Sequence, residues 1–322
     1  MITNLKVSFV LPIYNEAKNI PKLWEELTTL KINIKEKFKK LPIKFDYEFI
    51  FVCDGCRDNS VELLEDIYNN NLSEIKILVF GKNFGHQIAV TAGQDIATGD
   101  AVIIMDTDLQ DPPAVCLELI EKWFEGFHVI YAKRKTYQSS IAKKLPAFLF
   151  YRLMNAIANV KIPEDTGDFR LISKEVNTEM GKFREKNRYL RGISFLTGYS
   201  TTAVMFDRSQ RYSGKPGYTF FKSLKLAFDG ITSFSLFPIR VVSLTGITLA
   251  AISIFFGFVY VIYTLATRHP ADGWASLMFA IVFLGGIQLL MIGILGEYIG
   301  RIYTQVLDRP LYTVVEKYGM DE

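Results

Sequence analysis

The chain has 322 residues, enough for one large domain or two of medium size, and 49% of them are hydrophobic, more than an ordinary soluble core absorbs. Lys and Arg number 37 against 34 Asp and Glu, a net charge of +3, so there is no polyanion-binding excess and nucleic acid is not an expected partner. Three cysteines, Cys53, Cys56 and Cys116, cannot build a disulfide framework, and a reducing compartment keeps them free.

In chain order, the opening MITNLKVSFVLPIYNE carries no long apolar segment behind a basic one, and its short β-like run breaks at Pro12, so this end is expected in the cytosol. From Val7 to about Ala132 the pattern alternates. VSFVLPIY is followed by Ile20, Leu23, Leu27 and Leu30 at helical spacing, then YEFIFV, a helix from about Val61, IKILVF, a helix from about His86, and AVIIMD. Such alternation predicts an α/β domain with a mostly parallel sheet. Ligands of such sheets gather beyond the carboxyl ends of the strands. The Lys-rich stretch 31–44 reads as a solvated connector.

The second half differs. Val241–Ala266 and Ala275–Gly296 carry no charged residue, and each exceeds the roughly 20 residues that span a hydrocarbon core. Two transmembrane helices joined by the short TRHPADGW predict a hairpin whose outer ends, at Arg240 and Arg301, emerge on one side. Upstream, FFKSLKLAFDGITSF sets Phe220, Leu224, Ala227, Phe228 and Ile231 on one helical face. That suits a helix lying in the membrane interface, in preference to a core-packed amphipathic helix. Gly286, Gly293 and Gly300 recur every seventh residue of the second span, a spacing that allows close helix contact, although glycine is in any case common in membrane helices.

Chemistry concentrates in AVIIMDTDLQDPP. Asp106 and Asp108 leave a strand two residues apart and Gln110 follows, offering hard oxygen donors to Mg²⁺ or Mn²⁺ shared with phosphate. An acidic turn before the helix-starting Pro112 and Pro113 is the plainer reading. Taken together, PIYNE (12–16), Asp54-Gly55 followed by Asp58 and Ser60, Asn83-Phe84-Gly85 followed by Ala89, and DTDLQDPP stand in an order that resembles the family 2 glycosyltransferases. Within them the chain looks most like the polyprenyl-phosphate branch, which includes dolichol-phosphate mannose synthase and the bactoprenol glucosyltransferases. EDTGDFRLIS, RYLRGISF, DRSQRYSGKPGY, ITSFSLFPIR, the two spans and LGEYIGRIYTQVLDRPLY extend the resemblance over nearly the whole chain.

The resemblance implies a GT-A-like nucleotide-binding domain over residues 1–218, interfacial amphipathic helices over 219–240, a transmembrane hairpin over 241–300 (spans about 241–266 and 275–298) and a cytosolic tail over 301–322. It implies inverting transfer of a sugar, glucose from UDP-glucose first, onto undecaprenyl or another polyprenyl phosphate. UDP-GlcNAc, UDP-galactose and GDP-mannose are the alternative donors, and a catalytically silent membrane scaffold is the rival class. Pro12, Tyr14, Glu16, Asp54, Asn83, Gln87 and Asp106 are implied to bind the nucleotide sugar, and Asp106, Asp108 and Gln110 to hold the metal. Asp108 and Asp168 stand at the reacting centre, and Arg134, Lys143, Lys144, Arg170, Arg208 and Arg211 are candidates to clamp phosphate.

An acceptor phosphate, with a second pKa near 6, needs no strong base. Asp168 is therefore expected to orient the acceptor or balance the clamp, with a structural cap or salt bridge as the competing reading. His86 reads as a surface helix start that could touch phosphate. The expected setting is the inner or plasma membrane, multi-pass, with the catalytic domain cytosolic and a homo-oligomer implied.

Cys53-Asp54-Gly55-Cys56 departs from the Asp-Asp-Gly-Ser usual in the family, keeping only the second carboxylate. A thioredoxin-like redox motif would open a helix and carry a Trp or Pro companion, and zinc would need a second ligand pair. Neither is present.

Overall fold

The computed structural model describes residues 3–135, 166–207, 237–267 and 273–320. These fall into two compact units, one formed by residues 3–135, 166–207 and 310–320 and the other by 237–267 and 273–309. Lys143, Lys144, Arg208, Arg211 and the proposed interfacial helix before residue 237 lie outside the described residues.

The first unit is built on one eight-stranded sheet. Its strands are β1 (Thr3–Ile13), β2 (Ile43–Cys53), β3 (Ile75–Phe80), β4 (Ala101–Ile104), β5 (Val129–Arg134), β6 (Thr166–Ser173), β7 (Thr201–Phe206) and β8 (Val314–Tyr318), in the order β7-β5-β6-β4-β1-β2-β3-β8. β3, β2, β1 and β4 run parallel at the centre, and β6 and β8 flank them antiparallel. Tyr47 to Cys53 are all buried, as a strand covered on both faces requires.

Side chains alternate between two apolar layers. Val7, Phe9, Leu11 and Ile13 of β1 face α1 (Ile20–Lys37), α2 (Ser60–Asn69) and α4 (Cys116–Phe124). Val10 faces α3 (His86–Ile96), α5 (Lys174–Lys182) and α6 (Leu190–Leu196). α1 buries Ile20, Leu23, Leu27, Leu30 and Ile34, the three-and-four spacing of a one-faced helix.

The segment read from sequence as a tail supplies β8, which pairs with β3. Tyr312 stacks on Phe80 at 5.2 Å, and the Tyr312 hydroxyl donates to Asp95 at 3.0 Å. The added strand covers the open edge of a sheet that otherwise presents unpaired backbone groups.

The second unit contains α7 (Phe237–Thr267) and α8 (Trp274–Val306), within which Ile239–Tyr260 and Ala280–Val306 are long and apolar enough to cross a membrane. Their large apolar side chains, such as Leu244, Phe255 and Leu289, are exposed, the reverse of a soluble core helix. A Cβ placed on Gly286, Gly293 or Gly300 would meet no atom within 4 Å.

Candidate active site

The site lies at the carboxyl ends of β1, β2 and β4, and strand register explains which residues meet there. β4 pairs antiparallel with β6, Ile104 opposite Arg170. Continuing that register two residues sets Asp106 opposite Asp168, so two carboxylates distant in sequence converge. The strand-to-loop step is fixed by the Met105 amide, which donates to Val10 O at 3.2 Å, and by the Thr107 hydroxyl, which donates to Pro12 O at 3.0 Å. Beyond it Leu109 has φ +58°, and Asp108 Oδ1 accepts the Gln110 amide at 3.1 Å.

α3 enters between the two acids. Gly85, at φ +100°, turns the chain sharply into the helix, a backbone state that glycine adopts without cost. His86 then stands with Nε2 3.3 Å from Asp168 Oδ2 and 3.6 Å from Asp106 Oδ1. One turn of side chain further, Gln87 Nε2 donates to Asp168 Oδ2 at 3.2 Å while its Oε1 accepts the Leu190 amide at 3.0 Å. Arg191 completes the centre as a fork on Asp168, Nε to Oδ1 at 2.9 Å and Nη2 to Oδ2 at 3.1 Å.

These contacts set the charges. Burial drives the Asp168 carboxyl upward, but the Arg191 charge and the His86 and Arg191 hydrogen bonds overcome it and hold it well below the ordinary carboxylate range. Burial raises Asp106; the His86 charge opposes this, and the neighbouring Asp168 and Asp108 charges add to it. For His86, burial lowers the imidazole but is outweighed by the hydrogen bond to Asp168 and the Asp106 charge, a net upward shift.

The β1 and β2 ends brace one another. Asn15, at φ +56°, accepts the Arg57 amide on Oδ1 at 2.8 Å, the Glu16 amide donates to Ser60 Oγ at 3.1 Å, and the Ala17 amide to Asp58 Oδ2 at 3.1 Å. Tyr14 beside them is 48% exposed and open to a ligand, whereas Pro12 is buried within β1. The Asp54 carboxylate is buried and accepts the Phe84 and Gly85 amides at 2.6 and 2.9 Å, and Asn83 Nδ2 donates to Asp54 O at 3.2 Å. Burial raises the Asp54 carboxyl, opposed by those two amides.

Arg134 ends β5 half-buried, its guanidinium beside Gly167, the residue preceding Asp168. Arg170 of β6 is enclosed. It is only 2% exposed, Nη1 donates to Leu190 O and Ser194 Oγ at 3.2 Å each, and burial lowers its pKa to about 10. A guanidinium so enclosed braces the β6–α6 contact through Nη1, while its Nε and Nη2 have no hydrogen-bond partner among the described residues. His86 is the exposed helix start expected from the sequence, and it also pairs with both carboxylates. Sequence reasoning missed Arg191; its signal lay in RYLRGISF, a basic residue inside an apolar helix.

Residues 8–181 match Glycosyl transferase family 2, and residues 238–302 match the GtrB C-terminal hairpin. The chain belongs to glycosyl transferase family 2. As a member of this family it is a glycosyltransferase, and its first unit is a GT-A-like domain. It is 41% identical over 322 residues to the uncharacterized glycosyltransferase YkcC of Bacillus subtilis, covering 100% of this chain and 97% of that one. It is 38% identical over 315 residues to the bactoprenol glucosyl transferase of Shigella phage SfII, covering 98% and 99%. With the prophage bactoprenol glucosyl transferase homolog of Escherichia coli K12 it shares 36% over 311 residues, covering 96% and 98%.

Proposed function

We propose that the protein transfers a hexose, glucose from UDP-glucose first among the donors, onto undecaprenyl or another polyprenyl phosphate at the cytosolic face of the plasma membrane, inverting the anomeric centre. The observation that carries this reading is the presence, in one chain, of a carboxylate-rich centre at the strand ends of a family 2 domain and two membrane-length apolar helices. A nucleotide sugar is water-soluble and a polyprenyl phosphate is not, so the transferase must work where the two phases meet. Near-full-length likeness to bactoprenol glucosyl transferases supports the acceptor class.

Chain topology supports the sidedness. β1 and β8 belong to one sheet, with α7 and α8 between them in sequence. A chain that crosses a bilayer between two strands of one sheet must cross it an even number of times, so α7 and α8 run in opposite directions as a hairpin. Gly286, Gly293 and Gly300 on α8 offer a face for a second copy.

In the reaction an acceptor phosphate oxygen forms the new bond to the anomeric carbon as the bond from that carbon to the diphosphate oxygen breaks. Asp168 is held ionised by Arg191 and His86, which makes it a poor base. Its part is to fix those cations against the incoming and departing phosphates. The His86 imidazole and the Arg134 guanidinium supply positive charge; Tyr14, Asn83 and the Asp54-supported loop hold the nucleotide.

The donor set at Asp106, Asp108 and Gln110 fits a divalent cation. Burial raises the Asp106 carboxyl and the Asp168 and Asp108 charges add to it, a repulsion that a cation relieves. That is the pattern of Mg²⁺ or Mn²⁺ held by one or two carboxylates with phosphate oxygens and water. When bound, the ion would neutralise charge on the departing diphosphate.

The test is a donor panel. Purified full-length protein with undecaprenyl phosphate and Mg²⁺ or Mn²⁺ is given UDP-glucose, UDP-GlcNAc, UDP-galactose and GDP-mannose, and lipid-extractable sugar is counted. Lipid-linked glucose is expected. No lipid-linked product from any donor, where a bactoprenol glucosyl transferase gives one in parallel, refutes the assignment.

A further inference from the structure

The Cys53-Asp54-Gly55-Cys56 turn is used by the transferase reading only through Asp54, yet both thiols are gathered on one apolar face of the sheet. Cys53 ends β2 in register with Ile13 and is fully buried; Cys56, three residues on, is partly exposed. Ile13 O accepts both the Cys56 thiol at 3.5 Å and the Asp54 amide at 2.8 Å, and the Gly55 amide donates to Cys53 O at 3.0 Å. The chain therefore doubles back between the two sulfurs, with Gly55 at φ +66°. The neighbouring Cys56 thiol, with burial, pushes Cys53 upward, and the Cys53 thiol in turn lowers Cys56. The accessible thiol is thus the readier nucleophile, the order that suits attack at Cys56 and resolution by Cys53.

The turn is also coupled mechanically to the loop before α3. Asp54 holds the Phe84 and Gly85 amides, and a Cβ on Gly55 would collide with the Lys82 and Asn83 backbone, so the two loops are in close contact.

From this geometry we infer that Cys53 and Cys56 close a reversible disulfide that displaces Asp54 from the Phe84 and Gly85 amides and so weakens the loop leading into His86. The oxidant is a small-molecule disulfide. Cys56 thiolate attacks one of its sulfurs and releases one thiol; Cys53 thiolate then attacks Cys56 Sγ and releases the second. The protein dithiol and the small disulfide become a protein disulfide and two small thiols. The effect on the nucleotide, though not the bridge itself, rests on the proposed transferase reading.

The full-length protein is treated with oxidised glutathione and digested with trypsin. The fragment Phe45–Arg57 holds both thiols and no other cysteine. It is expected to lose two hydrogens and regain them with dithiothreitol, while the fully buried Cys116 stays reduced. Hydrogen exchange at Phe84 and Gly85 is expected to speed up about tenfold in the oxidised protein, the loss of a hydrogen bond to a charged group. Cys56→Ser retains a donor for Ile13 O, cannot form the bridge, and is expected to show no exchange response. A fragment that stays reduced, or that carries only a glutathione adduct, overturns the disulfide; unchanged exchange at Phe84 and Gly85 in a bridged protein overturns the coupling. UDP affinity is measured alongside and is expected to fall about tenfold on oxidation. UDP that binds neither redox form would count against the transferase reading, whereas mass and exchange still decide the bridge.

Discussion

Arg191→Ala tests the centre of the site most directly. In the native protein Asp168, 8% exposed, accepts two charge-assisted hydrogen bonds from Arg191 at 2.9 and 3.1 Å. Truncation leaves the carboxylate with Gln87 at 3.2 Å, His86 at 3.3 Å and Arg170 Nη2 at 3.8 Å. Breaking a fully buried pair costs about 3–5 kcal/mol. Because the Arg191 side chain keeps 28% of its exposure and other partners remain, about 2 kcal/mol is expected, the scale of one hydrogen bond to a charged group. For a unit of this size that is a fall of about 4–8 °C in Tm, read by thermal unfolding of the full-length protein in detergent. Asp168 is depressed in the folded state, so its contribution is present above the unfolded carboxylate range and is lost only as pH falls through its low folded value. Without Arg191 the carboxyl titrates higher, so the deficit should be constant near neutral pH and shrink only once acid protonates the variant's carboxyl. A double-mutant cycle with Asp168→Asn should return a coupling above about 1 kcal/mol; additivity within about 0.5 kcal/mol would refute the pairing.

Three other outcomes are expected. Folded His86 titrates above its ordinary 6.5 because the Asp168 hydrogen bond and Asp106 charge outweigh burial, so its stabilisation is full below that value and fades as pH rises through the folded one; the Tm gap between native protein and His86→Ala should be wider at pH 6 than at pH 9. Asp106→Asn and Asp108→Asn should each lower transfer about 10²-fold or more and bring UDP affinity with Mn²⁺ down to its level in chelator; metal-stimulated UDP binding that survives both would remove the metal assignment. Deleting residues 310–322 uncovers Phe80, now 2% exposed, at a cost of about 2 kcal/mol for the ring alone, and frees the β3 edge. A lower Tm and self-association on gel filtration are expected, and unchanged values would show that β8 contributes little.

Much of the architecture was legible because its signals are local. Leu23, Leu27 and Leu30 recur at helical spacing and Phe49 to Val52 run apolar as a doubly covered strand must, so α1 and β2 could be read without knowing their neighbours. Asp106 and Asp108 were visible because both sit at one strand end. The enclosure of Arg170 could not be read because a motif position says nothing of which way a side chain points on β6, and Arg191, which forks Asp168, comes from a different element. β8 escaped notice because five residues without alternation, two of them charged, become a strand only when an open edge is waiting for them.

By itself the sequence determined the alternating α/β order, the carboxylates at strand ends and the two apolar helices, since periodicity and run length act within a few residues. Only the tertiary structure decided that His86 stands between Asp106 and Asp168, that Arg191 rather than Arg170 forks Asp168, and that the chain after the second helix returns to the sheet. Those facts depend on antiparallel register and helix approach between residues up to hundreds of positions apart, and no local pattern encodes them.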